Sequence, residues 1–159
     1  MIFVTVGTHE QQFNRLVEYM DRLGLDEEVI IQSGYSDYIP QYCKSEKMLS
    51  YQKMLELVEQ ARIVITHGGP SSIMLPLQMG KIPIVVPRQK EYGEHVNDHQ
   101  LEFVKKISKS IDIIPVYDIQ DLGEIIRRYE SIAAGRVKLK TNNAEFNRKL
   151  EDLVDRLFQ

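Results

Sequence analysis

Short β-branched runs recur along the chain, each followed by a stretch with helical spacing, and this alternation limits the fold more than any other feature. Ile2-Phe3-Val4-Thr5-Val6, Val29-Ile30-Ile31-Gln32, Arg62-Ile63-Val64-Ile65-Thr66, Ile82-Pro83-Ile84-Val85-Val86 and Ile111 to Val116 are strand-length and nearly continuously apolar. A further short strand is expected near Tyr42-Cys43-Lys44, after Pro40. Strands without a polar face are buried on both sides, which requires a parallel sheet covered by helices. The covering helices read from Phe13, Leu16, Val17 and Met20, stopped at Gly24. Others follow from Met54, Leu55, Leu57 and Val58 behind a Ser50 cap, from Ser71 to Met79, from Leu101, Val104 and Ile107, and from residues 119 to 133. Thr8 and Gln11 have the spacing of a capping box for the first of them. Right-handed crossovers turn this order into a doubly wound α/β sandwich. Ligands then bind beyond the carboxyl ends of the strands.

The 159 residues suit one domain, expected over 1–135, with 136–159 as a basic linker and an amphipathic helix. In that last helix Phe146, Leu150, Leu153, Val154, Leu157 and Phe158 form an apolar stripe, and Arg136, Lys138 and Lys140 precede it. A 43% hydrophobic and 27% charged composition excludes disorder. A net charge of −3 gives no basic field for nucleic acid, so no nucleic-acid partner is expected. Cys43 is the single cysteine, which rules out an intrachain disulfide framework and a cysteine-based zinc site. No apolar run reaches the ~20 residues of a membrane span. The chain opens directly on a strand, and a cytoplasmic location is expected.

All 4 histidines fall after strands: His9 after the first, His67 after the run from Arg62, His95 and His99 after Ile82 to Val86. In a parallel sheet that places them on one edge. The strongest local signal is His67-Gly68-Gly69-Pro70-Ser71-Ser72. Two glycines let the backbone approach a ligand, and the following helix start offers orphan N–H donors, a dipole and two hydroxyls to an anion. No Gly-Lys-Ser/Thr follows, so this is not a P-loop, and the dinucleotide fingerprint is absent too. Val6-Gly7-Thr8-His9 offers a second, weaker anion-facing turn. Glu94-His95-Val96-Asn97-Asp98-His99-Gln100 is equally dense. Its two histidines, four apart, share a helix face and could hold a metal, but no His-Glu-x-x-His or Asp-x-Asp occurs. Polar heads of this kind also suit a hydroxyl-rich ligand.

In this order the clusters resemble the carboxyl-terminal, nucleotide-sugar-binding half of GT-B glycosyltransferases, a Rossmann-like domain, and most closely family 28. The likeness rests on Ile65 to Ser72, Gly80 to Pro87 and Asp98-His99-Gln100-Leu101-Glu102. Val4-Thr5-Val6-Gly7-Thr8-His9-Glu10 is similar to the start of small bacterial capsule and exopolysaccharide transferases. The resemblance implies that Gly68, Gly69, Ser71 and Ser72 hold the donor diphosphate beside His67. It also implies that Gln100, with His99, meets the sugar and that the segment around Ser50-Tyr51 lies by the uracil; Gly7 and Thr8, in the weaker turn, are candidates for the same ligand. Many relatives carry a ribose-binding glutamate where Met74-Leu75 stand here.

A complete GT-B enzyme has two such halves. The resemblance therefore implies a catalytic subunit that works with a membrane-attached partner supplying the acceptor-binding half and a lipid-linked acceptor. The partner would recruit it to the inner face of the membrane. The expected reaction is metal-independent transfer from a UDP-sugar, galactosyl or N-acetylglucosaminyl, in capsule or exopolysaccharide synthesis. His9 and Glu10 are the candidate bases, and no cofactor beyond the UDP-sugar substrate is expected. The alternatives are a non-catalytic nucleotide-sugar-binding regulatory subunit and, on His95 and His99, a metal-dependent hydrolase.

Overall fold

The apolar runs assemble as expected into one sheet in which every pairing is parallel. The computed structural model describes residues 1–136 together with Arg148, Glu151, Asp152 and Asp155. Its strands are β1 (Ile2–Thr5), β2 (Val29–Gln32), β3 (Lys44–Glu46), β4 (Ile63–His67), β5 (Ile84–Val86) and β6 (Ile114–Pro115), in the order β3-β2-β1-β4-β5-β6. The helices are α1 (Asn14–Arg22), α2 (Tyr51–Gln60), α3 (Pro70–Gln78), α4 (His99–Ile107), α5 (Leu122–Arg127) and α6 (Tyr129–Ala134). The strand order reverses on either side of β1, making β1 and β4 the centre of a doubly wound, Rossmann-like α/β fold.

The period of two along each strand sorts the core onto two faces. Ile2, Val4, Ile31, Ile63, Ile65 and Ile84 pack against Leu16, Val17 and Met20 of α1 and Leu122, Ile126 and Tyr129 of α5 and α6. On the other face, Phe3 and Val64 meet Leu57 and Val58 of α2, while Val85 meets Ile73 and Leu77 of α3 and Phe103 and Val104 of α4. The register sets Thr5 opposite both Gln32 and Thr66, so the carboxyl edge of an apolar sheet ends in a polar row. Among the described residues, no helix is long and apolar enough to cross a membrane.

Ser50 caps α2 as expected, its hydroxyl accepting from Lys53 N–H at 3.1 Å. Thr8 and Gln11, by contrast, form no capping box. α1 begins only at Asn14, with Phe13 at the cap position and no side-chain cap. The chain leaves β1 as a loop whose end is tied to the segment after β2: Ser36 Oγ accepts from Phe13 N–H, and Asn14 Oδ1 accepts from Asp37 and Tyr38 N–H. The edge strand starts at Lys44 rather than Tyr42. The nearly buried Asp21 carboxylate takes the N–H groups of Gln41, Tyr42 and Cys43, each at 2.9 Å, so those donors have no part in the ladder. The helix expected over 119–133 is a 3-10 turn followed by α5 and α6, broken at Arg128. The terminal apolar stripe, with Lys138 and Lys140, lies outside the described residues.

At the amino edge Arg62, preceding β4, bonds Glu27, preceding β2, through Nε at 2.9 Å, and bonds Glu130 of α6 at 2.8 Å. The Arg62 guanidinium, against some burial, holds the Glu27 carboxyl down at about 2. A lowered carboxylate pKa stabilises the fold above the ordinary carboxylate range, and that stabilisation is lost as pH falls toward 2. Glu27→Gln should therefore lower stability by about 1 kcal/mol at neutral pH. Urea unfolding of both proteins should show the difference vanishing as the pH is brought down to about 2.

Candidate functional site

Two buried glutamines, one under each glycine turn, build the carboxyl edge. After β1 the chain turns at Gly7 with φ +77, a conformation that favours glycine. Gln32, at the end of β2, takes Gly7 N–H at 3.1 Å and the Thr5 hydroxyl at 2.6 Å on its Oε1. Its Nε2 donates to Gly7 O at 3.0 Å and Lys47 O at 2.8 Å. Every polar group of this buried amide is used, so the turn is held from both sides.

The second turn, after β4, is held by Gln100 of α4. Gln100 Oε1 accepts from Gly68 N–H at 3.0 Å and Arg88 N–H at 3.1 Å, while its Nε2 lies 3.3 Å from His67 Nδ1. His67 is buried between the two glycine turns: a Cβ on Gly7 or on Gly69 would overlap its ring. Burial, with the Arg88 charge adding to it, pushes the His67 imidazole down to about 3. It is a neutral hydrogen-bonding group, not a titrating one, near pH 7. α3 starts with Gly69 at the cap and Pro70 as its first residue, and no side chain caps it. Pro70 has no N–H and Gly69 N–H goes to His67 Nδ1, leaving the N–H groups of Ser71 and Ser72 to point outward.

Arg88 follows β5 and is wholly buried. Its Nη2 donates to Val6 O at 2.7 Å. Its Nη1 donates to Gln11 O at 2.9 Å, Gln12 O at 3.2 Å and Glu94 O at 3.1 Å. The guanidinium lies 5.0 Å from the Phe13 ring centre. Burial pulls it down to about 10, still charged at neutral pH. Arg15 grips the fully buried Glu94 with two bonds at 2.9 and 3.0 Å, and Glu94 Oε1 also accepts from Gln89 N–H.

Between the turns lies a cleft of about 380 Å³, lined by Gly7, Thr8, His9, His67, Gly69, Ser71 and Ser72 among others. It shares Thr5, Thr8, Met54, Ser71 and Ser72 with a neighbouring, more apolar space of about 500 Å³. Tyr51, Val58, Met74 and Leu75 also line that second space.

A family model, the glycosyltransferase family 28 C-terminal domain, matches residues 1–157. The chain belongs to this family. This family 28 domain is 30% identical over 119 residues to the UDP-N-acetylglucosamine transferase subunit ALG13 of Mus musculus, a match spanning 67% of the chain and 10% of the relative. To the Homo sapiens protein of the same name it is 30% identical over 122 residues, covering 68% and 10%. Two solved glycosyltransferases share the fold: SnogD from Streptomyces nogalater, with a TM-score of 0.53 and 16% identity, and the kitacinnamycin glycotransferase, with 0.50 and 20%. Each match covers 98% of this chain and 38% of the other, so the domain corresponds to one half of a GT-B architecture.

Within the family 28 domain the expected site residues separate into two groups. Gly7, Thr8, His9, His67, Gly69, Ser71 and Ser72 share the cleft, and Tyr51 lines the adjoining space. The His9 ring stacks on His95 with centres 4.4 Å apart and planes within 5°. Glu10 is exposed and lines neither space. His99, exposed at the start of α4, lines neither space, and Gln100 is turned inward onto Gly68, Arg88 and His67. Gln100 thus holds the turn, where a sugar contact was expected. Among the described residues, no three His, Cys, Asp or Glu side chains converge on a point where a metal ion could lie.

Sequence reasoning missed Arg88, Glu94 and Gln32. Arg88 and Glu94 look like residues of a polar loop, and only the packing shows them buried. Gln32 did carry a signal, as a polar residue ending an apolar strand. Arg88→Met should cost about 3 kcal/mol or more in urea unfolding, because it strands the buried carbonyls of Val6 and Glu94 and releases the part-buried ones of Gln11 and Gln12. Arg88→Lys should not restore stability, since one ammonium cannot span groups that a guanidinium fork reaches.

Proposed function

We propose that this chain is the catalytic, donor-binding subunit of a two-component UDP-sugar glycosyltransferase. The observation that carries the reading is the uncapped start of α3, where Ser71 N–H, Ser72 N–H and the Ser72 hydroxyl open on one cleft beside a left-handed glycine turn. An anion with several acceptor oxygens suits such an end, and the diphosphate of a nucleotide sugar has that chemistry. The uracil lies in the adjoining apolar space, by Tyr51 and Met54, with Met74 and Leu75 taking the place of a ribose-binding carboxylate. As the glycosidic bond breaks, negative charge grows on the departing UDP. Fixed N–H groups and the α3 dipole stabilise it without having to reorganise.

His9 is the base for the acceptor hydroxyl. It lines the cleft, and its Nε2 pairs with Gln11 Oε1 at 2.9 Å, which puts the ring proton on Nε2 and leaves Nδ1 to accept. The acceptor, a lipid-linked glycan, comes from a membrane-attached partner that closes the cleft from above at the inner face of the membrane. The chain spans about a tenth of the curated relatives it matches and 38% of each solved enzyme, and the name of those relatives as a transferase subunit supports a division of labour between chains. The relatives' name, UDP-N-acetylglucosamine transferase subunit, supports N-acetylglucosaminyl transfer. The likeness of Val4 to Glu10 to capsule and exopolysaccharide transferases supports galactosyl transfer in that setting.

The test is a screen of UDP-sugars with the chain and membranes carrying its partner, following sugar incorporation into lipid. Transfer should need both components. Tight UDP binding without any transfer would instead mark a regulatory subunit.

Two binding results are expected alongside. UDP affinity measured by calorimetry should be the same with and without EDTA, since backbone donors and hydroxyls hold the diphosphate. Gln100→Ala should weaken UDP and UDP-sugar by the same factor. Each neutral hydrogen bond lost beneath the turn is worth about 0.5–1.5 kcal/mol, or several-fold in affinity.

A further inference from the structure

His67 has both ring nitrogens committed. Nδ1 faces Gly69 N–H at 3.1 Å and the Gln100 side-chain amide at 3.3 Å, and Nε2 faces Ser72 Oγ at 3.0 Å. Gly69 N–H can only donate, so Nδ1 accepts. Gln100 is oriented in the same way, because its oxygen already takes the N–H groups of Gly68 and Arg88. Its nitrogen therefore faces the ring and donates to Nδ1. A neutral imidazole carries one proton, which must then reside on Nε2. Nε2–H donates to Ser72 Oγ, whose own hydrogen has to go elsewhere. Ser72 lines both the cleft and the adjoining apolar space, so its hydrogen points to whatever is bound there.

We infer that His67 and Gln100 are positioning residues that set the polarity of the Ser72 hydroxyl: His67 Nε2–H occupies one of its lone pairs, so that its hydrogen is turned away from the ring and offered to the ligand. The inference rests on the donor-site reading above. Hydrogen bonds run in one direction, from the backbone of Gly68, Gly69 and Arg88 through Gln100 and His67 to Ser72. Reversing any one would set two donors or two acceptors face to face. The ligand favoured is one whose contacting atom accepts, as a diphosphate oxygen does. The same requirement explains why glycine stands at both Gly7 and Gly69: a side chain at either would displace the ring that passes the polarity on.

The test is calorimetry of UDP on the full chain, joined to nitrogen NMR of the His67 ring. Ser72→Ala and His67→Leu should each weaken UDP about tenfold, the loss expected for a hydrogen bond to a charged group. The double variant should be no weaker than the worse single one, because His67 acts on the ligand through the Ser72 hydroxyl. His67→Gln, whose amide can accept from Gly69 and donate to Ser72, should stay within about threefold of the parent. The ring should carry its proton on Nε2 from about pH 8 to about pH 5. If the parent chain binds no UDP, the donor-site reading itself falls. If it binds and His67→Leu binds equally well, or the two losses add, the inference falls and the donor site stands. A proton on Nδ1, or a doubly protonated ring in that range, overturns the inference even if a variant fails to fold.

Discussion

The arrangement of the carboxyl edge depends on a cation in the protein interior. Arg88 reaches from the end of β5 to the carbonyls of Val6, Gln11, Gln12 and Glu94, joining the loop after β1 to the loop after β5. Burying a charge is costly unless it is hydrogen-bonded. Here Nε is buried without a partner, and Nη1 and Nη2 donate to backbone carbonyls on two separate segments, so the charge is best tolerated when both loops occupy these positions. Arg88 also supplies the N–H that orients Gln100. The loop that carries His9 and the turn that carries His67 are thus held by one residue, and the glycines can be permissive without the site being loose.

The polar groups of the edge form a graded series. Deepest are Arg88, Glu94, Gln32 and Gln100, buried and joined to backbone. Above them His67 is buried and neutral, its ring filling the gap between two glycine turns. Outermost are Thr8, His9 and Ser71, which meet the cleft. His9 keeps a partner there too, stacking on His95, whose own pKa burial and the neighbouring His9, Arg88 and His99 hold down. Residues that touch a ligand are thereby fixed by residues that do not, which is how a site keeps its geometry without losing its contacts to solvent.

The layers, the parallel pairing and the edge on which ligands bind were legible because they follow from periodicity. Strands such as Ile63 to Thr66, apolar on both sides, admit few alternatives. The His67 to Ser72 turn was legible because glycine, proline and serine each carry a distinct backbone consequence. What failed to show were the long-range side-chain hydrogen bonds. Thr8 and Gln11 have the spacing of a cap, yet contacts from Ser36 and Arg88 decide where α1 starts. Asp21 lies in the last turn of α1, yet its carboxylate sets the start of β3 from twenty and more residues away in sequence. Gln100 was expected at the sugar because the family resemblance implies that contact. Its oxygen is instead saturated by two backbone donors.

The capture of three N–H groups by Asp21 reaches beyond loop geometry. It leaves β3 three residues long, all exposed, with Lys44 and Glu46 at its ends. At the opposite border β6 has two residues, one of them Pro115, which has no hydrogen to donate. An open sheet whose interior strands are this apolar would be hazardous if its borders were long and flat, since a neighbouring molecule could add its own strand there. Here one border is cut short by a carboxylate, and the other, although Val116 N–H still reaches Val85 O, lacks the outward donor that any residue but proline would supply at Pro115. Such a sheet resists growing sideways into an aggregate.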